Sequence, residues 1–287
     1  MKHNSILLWK KSVSLLFAFL LSLVLPGITL LAAVWLACFD RDIFYRNMAE
    51  VGYYAGVTNE ILDLAEDYTL PTGMDLTVLD GILDGEIVSR DVNGYISAAF
   101  SGTVYTPDLE SFAGTLTDNV HQFFEREGME ESDDREEQVR EYVESIEAIY
   151  LETVKMPLLD YLMQAKELYG KLLAPGFCIL GFLAALLVIL ILRMHHYLHR
   201  GLRYVAYAFG GASLMAGILP AAAYLSGFYY RIHLEPEYFY RFAMQYVDTL
   251  LEFCLYMSGL WLAAMISCLA LIWTLKRRLK AQQKYTV

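Results

Sequence analysis

Long apolar runs separated by charged segments dominate the chain. Twenty-eight uncharged residues separate Lys11 from Asp40, and 21 separate Lys171 from Arg193. A further 27 lie between Arg203 and Arg231, and 23 between Glu252 and Lys276. A helix needs ~20 apolar residues to cross a hydrocarbon layer ~30 Å thick, so all four stretches predict transmembrane helices. Their expected bounds are 12–38, 173–192, 204–225 and 253–275. Core helices of a soluble protein are the alternative, and four such runs in one chain speak against it.

Residues 39–172 repeat apolar positions three or four apart, which predicts a domain of five or six helices. Ile43, Phe44, Met48, Val51 and Tyr54 mark one helix over 41–56. Ile61, Leu62 and Leu64 begin a second piece, stopped by Pro71 and Gly73. Thr72 or Gly73 is expected to cap a helix carrying Leu76, Leu79, Ile82 and Leu83. Pro107, followed by Asp108 and Glu110, reads as a helix start, because proline suits the first turn and acids suit the positive end. Ser132, Asp133 and Asp134 open another, with Val139, Tyr142, Ile146, Tyr150 and Val154 on one face. Pro157 should kink or restart that helix before it continues through Leu158 and Leu162. Val92-Asn93-Gly94-Tyr95 contains the Asn-Gly pair of tight hairpins. Yet Val88, Val92, Tyr95, Ile96 and Ala99 fall on one helical face, and helix is the expectation.

Charge gives the orientation. The segments 1–11, 193–203 and 276–287 hold 11 basic residues and no acid, whereas 39–172 and 226–252 hold 11 basic and 33 acidic residues. The positive-inside rule therefore places both termini in the cytoplasm and both longer loops outside. A cleaved signal sequence is the alternative for the first span, but its apolar run is about twice the usual ~7–15 residues, so an uncleaved anchor is expected.

Composition narrows the class further. Hydrophobic residues make up 56% of the chain, above the ~45–50% of an ordinary soluble domain, which fits an integral membrane protein. The net charge of −11 argues against nucleic acid as a partner. The four cysteines, Cys38, Cys178, Cys254 and Cys268, lie within or at the edge of spans, and 39–172 has none. An outer domain without disulfides fits a bacterial surface better than a eukaryotic secreted one. The span centres carry no ionisable residue, which counts against proton-coupled transport and membrane-embedded hydrolysis.

Several short motifs have simpler readings. Leu70-Pro71-Thr72-Gly73 lacks the variable residue of a sortase signal and sits far from the C-terminus, so it reads as a turn. His195 and His199 lie one turn apart, but position 196 is His where a zinc protease needs Glu, and no inner acid completes a site. Asp75, Asp80, Asp84 and Glu86 lack calcium-loop spacing and read as solvated helix faces. The loop 226–252 is rich in aromatics, among them Tyr229, Tyr230, Tyr238 and Phe242. They suit an interfacial belt or internal docking; interleaved Arg231 and Arg241 also suit a surface against the acidic outer domain. In the third span Ala206, Gly210, Ser213 and Gly217 follow i, i+4, i+7, i+11 spacing, with Pro220 expected to kink the helix above them. This small-residue face predicts a helix-packing seam, within the chain or against a partner helix.

The expected fold is all-α, a four-transmembrane-helix integral membrane protein with a large helical extracytoplasmic domain between helices 1 and 2. No catalytic, metal or cofactor set emerges. In loop order alone the chain resembles claudin-like four-span proteins, without any cell-junction motif. The expected function is non-enzymatic: a bacterial plasma-membrane protein whose outer domain binds or senses an envelope protein, with the lipid bilayer as its other partner. An accessory subunit of a transport or export complex is the alternative, and an envelope enzyme a third.

Overall fold

A computed structural model describes the backbone of residues 2–128, 133–195, 197–232 and 234–284, and the side chains of 9–128, 134–195, 197–232 and 234–277. The expected cap at Ser132, His196 and the side chains of the basic tail beyond 277 lie outside the described residues. Among the described residues nine α-helices follow one another: α1 Lys2–Phe39, α2 Arg41–Glu50, α3 Tyr53–Thr69, α4 Gly85–Ser101, α5 Glu110–Arg126, α6 Asp133–Val154, α7 Leu159–Arg193, α8 Leu198–Ser226 and α9 Glu237–Lys284. Among the described residues there is no strand. Among the described residues four helices, one over each uncharged run, are long and apolar enough to cross a membrane.

The boundaries differ from the expected ones where single residues cap or break a helix. The helix expected over 41–56 is two helices, because Gly52 adopts a left-handed conformation (φ 65°) that ends α2. Asp40 starts α2 by accepting hydrogen bonds from the amides of Asp42 and Ile43. The helix expected to carry Leu76 to Leu83 is a single 3₁₀ turn, Leu76–Leu79. Asn119 donates to the carbonyl of Val78 in that turn at 3.0 Å and to that of Asp80 just after it at 2.9 Å. Asp75 caps that turn and Asp84 caps α4, so two of the four clustered acids hold backbone amides. The contested Asn93-Gly94 pair lies inside α4. At Pro157 the chain restarts: α6 stops at Val154, Leu158 takes a positive φ of 60°, and α7 begins at Leu159. The helices α7 and α8 run unbroken through Pro175 and Pro220.

The chain divides into two compact units. The first contains residues 1–43, 167–232 and 246–287, hence the four apolar spans. Here α1 packs along α8 around Ala18, Leu21, Leu25, Val205, Ala206 and Ala212. Tyr169 of α7 donates to the Leu31 carbonyl of α1 at 2.8 Å. Trp261 of α9 donates to Thr29 of α1 at 2.9 Å and stacks on Phe209 of α8, ring centres 5.7 Å apart. Indole N–H groups in apolar surroundings seek such a partner. One span, α1, thus meets each of the other three.

The second unit contains residues 44–166 together with 233–245. Its core includes Phe44, Met48, Val57, Ile61, Val92 and Ile96, all fully buried. The start of α9 joins this core through aromatic edges. Phe242 meets Phe44 and Tyr53 with ring centres 5.1 and 5.4 Å apart, and Tyr238 meets Tyr53 at 5.1 Å. A side chain at Gly56 would strike Tyr238, so glycine is what admits that ring. The aromatic loop is therefore shared out: Tyr238 and Phe242 serve this unit, while Tyr229 and Tyr230 both donate to Asp248 within the first. Arg241 pairs with Glu237 on its own helix.

Candidate binding cleft and the buried carboxylate beside it

Within the second unit, α4 carries Val88, Asp91, Val92 and Ile96 on its buried face, which puts one acid in the middle of an apolar stripe. Asp91 is fully buried. A buried carboxylate is costly unless hydrogen bonds replace its water. Tyr105 donates to Oδ1 at 2.8 Å, Tyr150 of α6 donates to Oδ2 at 2.7 Å, and the Arg90 guanidinium approaches Oδ1 at 3.2 Å. Both oxygens are thus held by phenols from outside α4. Burial and the neighbouring Asp91 charge push the Tyr150 and Tyr105 hydroxyls above the ordinary phenol value, keeping them protonated as donors. The Asp91 carboxylate in turn pushes Arg90 further up.

Tyr105 reaches Asp91 only because α4 has no side chain at Gly94. A Cβ there would overlap the Tyr105 ring. The Asn-Gly pair is thus a packing device of a helix, and Asn93 accepts a hydrogen bond from Tyr54 at 2.7 Å.

The far side of Tyr105 opens on a cleft of about 360 Å³. Tyr95, Tyr105 and Tyr161 supply rings, Met156 apolar surface, and Lys155 and Asp160 one charge of each sign. Lys155 lies over the Tyr95 ring, 5.9 Å from its centre. Two non-helical segments border the cleft. The stretch after α4 exposes Val104 almost entirely, at 94%. The α6–α7 junction holds Leu158 in its left-handed conformation, which costs a non-glycine residue ~1–3 kcal/mol and persists only where the surroundings enforce it. Clefts with apolar and aromatic walls and a few polar groups suit ligand or peptide binding. With both its oxygens taken by phenols, Asp91 is a structural hold for the Tyr105 wall.

The small residues of α8 fall elsewhere, in the first unit. Ala206 is buried among the residues that join α8 to α1. Gly210, Ser213 and Gly217 share α9 as a neighbour. A Cβ at Gly210 would lie 2.9 Å from the Met265 sulfur, and one at Gly217 would meet the Ser258 side chain. Ser213 donates to the Ser258 carbonyl at 3.0 Å, and Ser258 donates back to the Ser213 carbonyl at 2.8 Å. Pro220 is half-buried above them. Ser258 escaped the sequence reading because nothing in the fourth span marks it.

Asp91 and Tyr105 escaped it too, though a signal existed. Asp91 stands three residues after Val88 and one before Val92, on a face otherwise apolar. Among the described residues, no three His, Cys, Asp or Glu side chains converge as metal ligands. The four cysteines are free thiols. No family model, curated protein or solved structure matches the chain.

Proposed function

We propose that the chain is a non-enzymatic bacterial plasma-membrane protein, with both termini cytoplasmic, whose helical unit binds or senses an envelope partner outside the membrane. The observation that carries the reading is the cleft: three tyrosine rings, one cation and one anion around about 360 Å³, braced from behind by a buried carboxylate. Tyrosine offers large contact area at low entropic cost, and its hydroxyl satisfies polar groups of a partner. The orientation rests on the segregation of charge, with no acid in 1–11, 193–203 or 276–287.

Photocrosslinking tests the cleft in the full chain. Benzoylphenylalanine at Val104 or Tyr161 should give a discrete adduct in intact host cells, and the same residue at exposed Leu64 of α3 should not. Adducts at Leu64 alone, or at none of the three, would refute the reading. Orientation is tested separately in a background without native cysteines. Ser226→Cys should react with an impermeant thiol reagent on whole cells and Gln283→Cys should not; labelling at 283 overturns the topology.

A further inference from the structure

At the end of the bundle where the chain begins, basic side chains from two helices and from the turn after a third converge. Lys10 and Lys11 of α1, His195 after α7, and His199, Arg200 and Arg203 of α8 line one cleft of about 640 Å³, closed by Met194 and Tyr204. No acid lines it. Basic residues at span ends follow from orientation alone, and then each makes its own local contact, as Arg277 does by lying over Trp273 at 3.7 Å. Six nitrogen-bearing side chains around one concavity are a different arrangement. The four cations among them, Lys10, Lys11, Arg200 and Arg203, concentrate positive potential where an anion can enter, the two imidazoles add hydrogen-bonding nitrogens, and guanidinium groups match phosphate oxygens in a bidentate fork.

A second concavity lies further along the same two helices, α1 and α8. Ser12, Leu15, Leu16, Phe19 and Ser22 of α1, with Tyr207 of α8, line an apolar groove of about 550 Å³. Leu15 lies four residues beyond Lys11, and Tyr207 four beyond Arg203, so on both helices the groove is the next turn of the cleft's own face. Charge at one end and an open apolar channel at the other match a lipid, not a free anion. We propose that α1, α8 and the turn after α7 hold one anionic phospholipid, its phosphate in the basic cleft and an acyl chain in the apolar groove. Basic pockets between membrane helices take such head groups, and each basic residue adds to the attraction.

The probe is dioleoylphosphatidylglycerol, added to the full chain in neutral detergent and counted by native mass spectrometry. One phosphatidylglycerol should be retained in preference to dioleoylphosphatidylcholine, and a dihexanoyl analogue should bind much more weakly. The triple variant Lys11→Gln, Arg200→Gln, Arg203→Gln should weaken retention about 100-fold. Arg277→Gln should leave it unchanged. Equal retention of the zwitterionic lipid refutes the site on the wild-type chain alone, whether or not the triple variant folds. Displacement by excess inorganic phosphate, or equal binding of the dihexanoyl analogue, overturns the lipid assignment in favour of a free anion. A folded triple variant, judged by helical circular dichroism, that retains lipid like wild type also overturns it.

Discussion

Replacing Asp91 by alanine tests whether the second unit is built around a buried carboxylate. The variant removes the acceptor of two phenol hydroxyls, at 2.8 Å from Tyr105 and 2.7 Å from Tyr150. Tyr105 is half-exposed and can turn to water, so its loss is small. Tyr150 is 1% exposed, and its hydroxyl would be left buried without a partner, at ~1–3 kcal/mol. The vacated carboxylate volume adds a cavity of about one side-chain head, worth ~1 kcal/mol. Relief of the carboxylate's own burial offsets part of this, because exposed Arg90 compensates it poorly. The expected net loss is about 2–3 kcal/mol, and Asp91→Asn, which keeps one acceptor oxygen, should lose roughly half of that. Hydrogen exchange on the full chain in detergent reads it locally, as faster exchange in peptides from α4 and α6. Tyr150→Phe removes the orphaned hydroxyl, so Asp91→Ala combined with Tyr150→Phe should be less damaging than the sum of the two by ~0.5–3 kcal/mol. Additive effects, or an Asp91→Ala change within about 0.5 kcal/mol of wild type, would refute the reasoning.

Gly94→Ala should destabilise α4 by about 1–3 kcal/mol in the same exchange experiment, because its Cβ overlaps the Tyr105 ring. Gly114→Ala, mid-helix in α5 with nothing near its Cβ, should instead stabilise by up to ~1 kcal/mol. Gly217→Leu should lower the yield of monodisperse protein more than Gly210→Leu. Ser258 is tied to Ser213 and cannot yield, whereas Met265 is flexible; Ile218→Leu, at an exposed position, should match wild type, and equal yields for all three would remove the seam. Burial and the Glu60 charge push Tyr238 up to about 12, so the folded state keeps a proton that the unfolded chain releases near pH 10. Its stabilisation is intact below pH 10 and lost as pH rises towards 12, by about 2–3 kcal/mol. Tyr238→Phe should flatten that part of an alkaline unfolding profile, and an unchanged slope would contradict it.

Much of the secondary structure was legible because it depends on local pattern. Uncharged runs longer than a bilayer crossing and apolar stripes at helical spacing survive in any arrangement, and both reappear as α1 and α4 to α9. Exceptions come where a few atoms decide. Gly52 divides one expected helix, and Asn119, about 40 residues away in sequence, takes the carbonyls that a helix after Gly73 would have used. Local spacing contains no information about such a distant donor.

The charge pattern and the small-residue positions on α8 were also readable from the chain, but their neighbours were not. Gly210 and Gly217 announce room without saying what fills it; only the packed bundle supplies Met265 and Ser258. Tyr238 and Phe242 read equally well as an interfacial belt, and the tertiary structure assigns them to the core around Phe44 and Tyr53. The same holds for Asp91, an acid out of place on an apolar face until Tyr105 and Tyr150 arrive from 14 and 59 residues away. A sequence determines which faces must be buried, because that follows from the transfer energies of its side chains. It leaves open which faces meet, because that depends on shape, and shape exists only once the helices have packed.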